Sequence, residues 1–201
     1  VYTMNYESMI RYHLENKADL TLATIPVSIE EAPRFGIVGI DDKNRVTSFV
    51  EKPANPPSTL ANMGVYLFNL ETLDRSLWED FSRKDSSHDF GKDVLPALVN
   101  SSARVFAYPY SGYWVDVGTI QTYWHAHMDL LANPSPLNLY DRQWVIHTRT
   151  EERPPSRIDR GAIVEDSMLC HGCIIEQGAQ VIHSVLSPGV VVKSGALVKD
   201  S

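Results

Sequence analysis

The sequence predicts an α/β chain that runs on into a parallel β-helix. In the first part, strand-like runs rich in β-branched and aromatic residues alternate with segments of helical period; in the last part, the same residue types return every seventeen positions. The repeat is the clearest internal signal. Ala162, Ala179 and Ala196 align, as do Val164, Val181 and Val198, and Ser167, Ser184 and Ser201. Gly161, Gly178 and Gly195 form one glycine series and Gly172 and Gly189 another. Ile174-Ile175 and Val191-Val192 hold the same relation, so short strands and Gly-centred turns recur about every six residues and three strands close one triangular coil. The third repeat stops within 196–201, which predicts a chain cut from something longer.

In the first part, Asn5 is placed to cap a helix over 6–16 with Met9, Ile10, His13 and Leu14 on one face. Strands are expected over 20–27, 36–40, 46–50 and 63–68, with Asp41-Asp42-Lys43-Asn44 as a hairpin turn. Helices are expected over 70–81 and 89–99, a short strand over 104–108, and a helix over 119–131 capped by Thr119. The organisation is then 1–137 as the α/β part, 138–157 as a Pro- and Arg-rich connector, and 158–201 as the β-helix.

Composition narrows the function. With 43% apolar and 21% charged residues the chain is neither disordered nor fibrous. Eighteen Lys and Arg against twenty-five Asp and Glu give a net charge of −7, which argues against nucleic acid or an anionic membrane as partner. No uncharged stretch reaches the ~20 residues of a membrane span. The first residues lack the form of a secretory signal. Two cysteines are too few for a disulfide framework, so a cytoplasmic location is expected.

Three constellations can carry chemistry. Glu51-Lys52-Pro53 ends a run that reads as a central strand, where an open sheet binds ligands; Lys52 can neutralise a phosphate and Glu51 can accept sugar hydroxyl hydrogens, although a surface ion pair explains both equally well. His88-Asp89-Phe90-Gly91-Lys92-Asp93 opens a helix: Asp89 suits a cap, and Asp89 with Phe90 also offers an acceptor beside an apolar wall, as a pyranose requires. Tyr113 to Thr119 sets Asp116 among apolar residues just before a helix cap, which makes it the best candidate for a Mg²⁺ ligand, with capping of the helix amides as the alternative. Cys170-His171-Gly172-Cys173 has the spacing of half a zinc site but lies on the repeat lattice and reads as ordinary β-helix positions.

Together these segments resemble one family. Phe35-Gly36, Phe49 to Pro57, Met63-Gly64-Val65-Tyr66, His88 to Asp93, Tyr113 to Thr119 and Tyr140 to Thr148 occur in the order found in glucose-1-phosphate adenylyltransferase, the ADP-glucose pyrophosphorylase of bacterial glycogen synthesis. The resemblance implies part of a Rossmann-like nucleotidyltransferase sheet, with 1–137 as its sugar-phosphate side, followed by the first coils of a left-handed parallel β-helix. It implies ATP and glucose 1-phosphate as substrates, Mg²⁺ as cofactor and a homotetramer. Position by position it implies that Gly36, Glu51 and Lys52 contact the sugar phosphate, that Asn62, Tyr66, Asp89, Phe90 and Trp114 complete the pocket, and that Asp116 is the second of two magnesium carboxylates. Asn62 stands where many members have Ser, and Val115 where many have Arg. The family's Gly-rich nucleotide loop and its first metal-binding Asp lie ahead of the segment matched here, so no catalytic residue is assigned with certainty and the chain by itself is expected to be inactive. A regulatory, noncatalytic subunit, or an enzyme making UDP-, dTDP- or GDP-sugars, are the alternative readings.

Overall fold

The computed structural model describes residues 1–148 and 151–201; the predicted connector over 138–157 therefore includes two residues outside the described ones. The chain divides into two compact units, one formed by residues 4–111 and the other by residues 1–3 with 112–201.

The first unit is a five-stranded mixed sheet. It is built from β1 (Leu20–Pro26), β2 (Gly36–Ile40), β3 (Val46–Glu51), β4 (Leu60–Phe68) and β5 (Val105–Pro109), in the spatial order β3-β2-β4-β1-β5. Only β1 and β5 run parallel. The helix α1 (Tyr6–Glu15) is capped by Asn5, whose side chain accepts from the Glu7 N–H. On its predicted apolar face Met9 and His13 are buried while Ile10 and Leu14 are exposed, so the stripe in contact with the sheet is narrower than the spacing suggested. His13 is satisfied by Thr21 and Asn69 at 2.8 and 3.2 Å. The helix α2 (Leu70–Phe81) follows β4 directly. The predicted 89–99 helix is a single π turn, Phe90–Val94, that runs into the short α3 (Leu95–Val99). Val94, Leu95 and Leu98 pack on Leu20, Leu22, Val38, Val46 and Phe49, which sets this turn directly over the end of β3.

Two irregularities aim the site. β3 is the edge strand of the sheet and not a central one: its ladder partner is β2 alone, and Val50 is 41% exposed. A register shift opposite Gly39 and Ile40 puts Val46 and Phe49 on one face, and Glu51, two residues beyond Phe49, inherits that face. In β4, the register jumps from Tyr66 opposite Leu22 to Asn62 opposite Thr24, so Met63-Gly64-Val65 bulges out of the ladder. Gly64 takes φ +73°, a conformation open to glycine, and its N–H donates to Asn62 Oδ1.

The second unit contains α4 (Ile120–Asp129), capped by a reciprocal pair of hydrogen bonds between Thr119 and Thr122, and a left-handed parallel β-helix. Its strands β6 (Arg157–Ile158), β7 (Ile163–Glu165), β8 (Met168–Leu169), β9 (Ile174–Ile175), β10 (Gln180–Ile182), β11 (Val185–Leu186), β12 (Val191–Val192) and β13 (Leu197–Lys199) form three parallel stacks, β6-β9-β12, β7-β10-β13 and β8-β11. Register confirms the seventeen-residue period: Val164, Val181 and Val198 are neighbours, as are Met168 and Val185. The third corner of each coil, invisible as glycine, is Asp166, His183 and Asp200, each at positive φ. Cys173, Ile175, Ala179 and Val181 fill the interior.

Ser167, Ser184 and Ser201 form a ladder in which the Ser184 N–H donates to Ser167 Oγ and the Ser201 N–H donates to Ser184 Oγ. Ser184 is fully buried and its hydroxyl also donates to Ile182 O at 2.8 Å. Ser184→Ala is expected to cost about 1 kcal/mol in urea unfolding, because it removes the buried hydroxyl that donates to Ile182 O and accepts from the Ser201 N–H, while Ile182 O keeps the Asp200 N–H. Ser201→Ala, exposed, should cost under about 0.5 kcal/mol.

Candidate functional site

At the mouth of β3 the first unit gathers seven of the nine sequence-assigned residues. Glu51 faces Gly36 across the β2–β3 ladder. Its carboxylate is seated between two glycines: a Cβ on Gly36 would fall 2.7 Å from Glu51 Oε2 and one on Gly91 would fall 2.6 Å from it. Gly91 carries no role in the sequence reading; the signal was its place inside the 88–93 motif, and only the fold brings it over Glu51. Lys52 leaves the strand at φ +46°, its N–H donating to Phe35 O, and its Nζ lies 3.5 Å from Glu51 Oε1. The Lys52 side chain is 65% exposed against 21% for Glu51, so the ammonium faces solvent while the carboxylate is fixed. An exposed pair at this distance contributes little to stability.

Tyr66 and Phe90 make the apolar wall, their rings stacked at 5.7 Å, with Phe68 edge-on to Phe90 at 6.1 Å. Asn62 donates from Nδ2 to the Tyr66 hydroxyl at 2.7 Å and accepts from Gly64, so it orients the tyrosine. The tyrosine therefore keeps its own proton to donate. Burial pushes the Tyr66 phenol above its ordinary pKa, Asn62 opposes this, and the negative charges of Glu51 and Asp89 add to it. Asp89 caps the π turn, Oδ1 accepting from the Lys92 N–H at 2.9 Å. The π turn places Phe90 against Tyr66 immediately after that cap; such turns recur at functional sites. One ammonium, two carboxylates and an aromatic wall suit a polyhydroxylated ring bearing an anion.

Trp114 and Asp116 belong to the second unit. Trp114 forms an antiparallel bridge with Tyr2, and the Val1 amino group and Val115 N–H exchange hydrogen bonds with each other's carbonyls. Tyr113 ties this segment to α4 by donating to Asp129 at 2.9 Å; burial and that carboxylate push its phenol up to about 12. Asp116 is exposed, so the expectation of a carboxylate enclosed by apolar residues does not hold: Trp114 and Val115 are half-buried and Val117 is 38% exposed. What remains of the metal reading is access. A Cβ on Gly118 would press to 3.0 Å from Asp116 Oδ2, and its absence leaves the carboxylate open to a cation that takes one or two carboxylates and completes its shell with water and phosphate oxygens. Among the described residues no group of three or more His, Cys, Asp or Glu is arranged to hold a metal by itself.

Comparison with known proteins decides the family. The nucleotidyl transferase profile matches residues 1–133. This chain belongs to the nucleotidyl transferase family. The GlmU-like, C-terminal hexapeptide profile matches 154–201, the segment that forms the coils. Among curated proteins, the glucose-1-phosphate adenylyltransferase of Geobacillus stearothermophilus is 46% identical over 176 residues, covering 88% of this chain and 46% of that protein. Its counterpart in Bacillus subtilis strain 168 is 45% identical over 175 residues, covering 87% and 46%; that of Clostridium novyi is 42% identical over 175 residues. The chain spans about half the length of the curated relatives it matches. In this nucleotidyl transferase the residues gathered around Glu51 are the natural place to look for substrate contacts.

Proposed function

We propose that this chain carries the sugar-phosphate side of a glucose-1-phosphate adenylyltransferase. The observation that supports this best is the fixed Glu51 carboxylate, seated on Gly36 and Gly91, beside the Lys52 ammonium and the Tyr66–Phe90 wall. In the reaction, a phosphate oxygen of glucose 1-phosphate attacks the α-phosphorus of ATP, the bond to the β-phosphate bridging oxygen breaks, and pyrophosphate leaves with ADP-glucose as the other product. Lys52 holds the phosphate, Glu51 and Asp89 accept sugar hydroxyl hydrogens, and Phe90 and Tyr66 cover the ring. The protein's contribution is positioning and charge neutralisation of two anions.

Nucleotidyl transferases of this family generally work with a divalent metal ion; Mg²⁺, held by Asp116, would screen the converging phosphates when bound. Trp114 is assigned to the sugar as well. The reading carries with it residues 1–137, 138–157 and 158–201 as functional parts, a homotetramer and a cytoplasmic location. No helix among the described residues is long and apolar enough to cross a membrane.

Titration calorimetry of this chain tests the proposal: saturable binding of glucose 1-phosphate, with glucose 6-phosphate and free glucose weaker, is expected, and equal or absent binding of all three refutes it. Asp116→Asn is expected to leave binding without metal unchanged. It should remove the strengthening by Mg²⁺ by about tenfold, the equivalent of one charged contact of about 1.5 kcal/mol.

A further inference from the structure

We propose that His88 and Asp80 form a positioning clamp that holds Asp89 and Phe90 in their sugar-binding geometry, His88 acting through its neighbours without touching the ligand. The inference rests on the reading of Asp89 and Phe90 given above.

His88 is a non-glycine residue at φ +58°, a conformation that persists only where its surroundings over-determine it. The surroundings here are a closed ring of three side chains. His88 Nδ1 lies 2.8 Å from Asp80 Oδ2, and since a carboxylate only accepts, this nitrogen carries the proton. Asp80 Oδ1 accepts from the Ser86 hydroxyl at 2.6 Å, and Ser86 Oγ accepts from the His88 N–H at 3.0 Å. Asp80 sits near the end of α2 with a side chain only 9% exposed, so the acceptor is anchored. The imidazole also lies over the Phe81 ring at 6.4 Å. From the other side Asp93 Oδ2 accepts from the Ser87 N–H and hydroxyl and from the Asp89 N–H. The Ser86 hydroxyl and the His88 imidazole Nδ1–H hold the Asp80 carboxyl below the usual range, in keeping with an acceptor that stays ionised.

Residues 86–88 are thereby gripped between two carboxylates, and the next two side chains in the chain, Asp89 and Phe90, are the site's acceptor and its stacking ring. The shared effect of Asp80 and Asp93 is to set the direction in which Asp89 and Phe90 leave the segment, toward Tyr66 and Glu51.

The test is ligand binding by this chain with two probes, glucose 1-phosphate and inorganic phosphate, because the clamp acts on the sugar contacts and not on Lys52. His88→Ala and Asp80→Asn are each expected to weaken glucose 1-phosphate about tenfold or more while inorganic phosphate stays within about twofold. His88→Asn tolerates positive φ and can still donate to Asp80, so it should stay within about threefold of the unsubstituted chain. Should His88→Ala fail to fold, Asp80→Asn and His88→Asn read the same contrast. Equal losses for both probes mean a merely structural role and overturn the inference, as does unchanged binding in Asp80→Asn. If Lys52→Ala binds glucose 1-phosphate as tightly as the unsubstituted chain, the sugar-phosphate reading fails instead; if the unsubstituted chain binds neither probe, both fail.

Discussion

Replacing Lys52 by alanine is expected to raise the glucose 1-phosphate concentration for half-saturation by about 10- to 100-fold, with no measurable change in unfolding. The Lys52 side chain is 65% exposed and its pair with Glu51 spans 3.5 Å, so the folded state gains little from the ammonium. A bound phosphate gains a charge-assisted hydrogen bond of about 1.5–3 kcal/mol, which sets the range. Lys52→Arg should recover only part of this, since a planar fork on a backbone at φ +46° presents its donors in a different direction. Calorimetry on this chain reads the effect directly. In an enzyme that carries the complete nucleotide site, the same substitution should raise KM with kcat little changed if Lys52 serves binding alike in ground and transition states, and lower both kcat and kcat/KM if it also stabilises the charge on transfer. Unchanged turnover with an altered response to effectors would instead favour the regulatory subunit.

Gly36→Ala is expected to be the most damaging single methyl in the first unit. Its Cβ would lie 2.5 Å from Phe49 Cζ and 2.7 Å from Glu51 Oε2. Phe49 is part of the buried core beneath the π turn and cannot swing away without disturbing Val94 and Leu95, so a cost of about 1–3 kcal/mol in urea unfolding follows. The carboxylate is pushed off its seat as well, and sugar-phosphate affinity should fall together with stability. Gly91→Ala separates the two effects. Its contacts are with Glu51 Oε2 at 2.6 Å and Glu51 Cδ at 2.9 Å, the far end of a side chain that can rotate. Binding should fall about as far as in Gly36→Ala while stability changes by less than about 1 kcal/mol. Intact affinity in Gly91→Ala would remove Glu51 from the site.

Much of the architecture was legible because its information is local. A coil of the β-helix pairs only with its immediate neighbours, so a period of seventeen in the sequence becomes a register of seventeen in the ladders, as Val164, Val181 and Val198 show. Caps behave alike: Asn5 and Thr119 bond N–H groups two and three residues away, within reach of any reading of adjacent residues. Strand order is different. The apolar residues of β3 describe what the strand touches above and below, and nothing in them says whether a second strand lies alongside, so an edge was taken for a centre. The apolar enclosure expected around Asp116 fails for a related reason: apolar neighbours along the chain do not enclose a carboxylate unless other segments close over it, and here Val117 itself is 38% exposed.

The residue types of the site, an acid and a base at 51 and 52, an acid and a ring at 89 and 90, and a tyrosine at 66, were readable from one-dimensional pattern and resemblance. Tertiary structure alone decided how they are held: Gly36 and Gly91 meet at one carboxylate, and a three-residue bulge turns Tyr66 toward Phe90. The division follows from range. Backbone capping and coil repeats depend on residues a few positions or one period apart, whereas a seat for a charged group depends on surfaces brought together from segments tens of residues distant, and their meeting is set by the packing of the whole core.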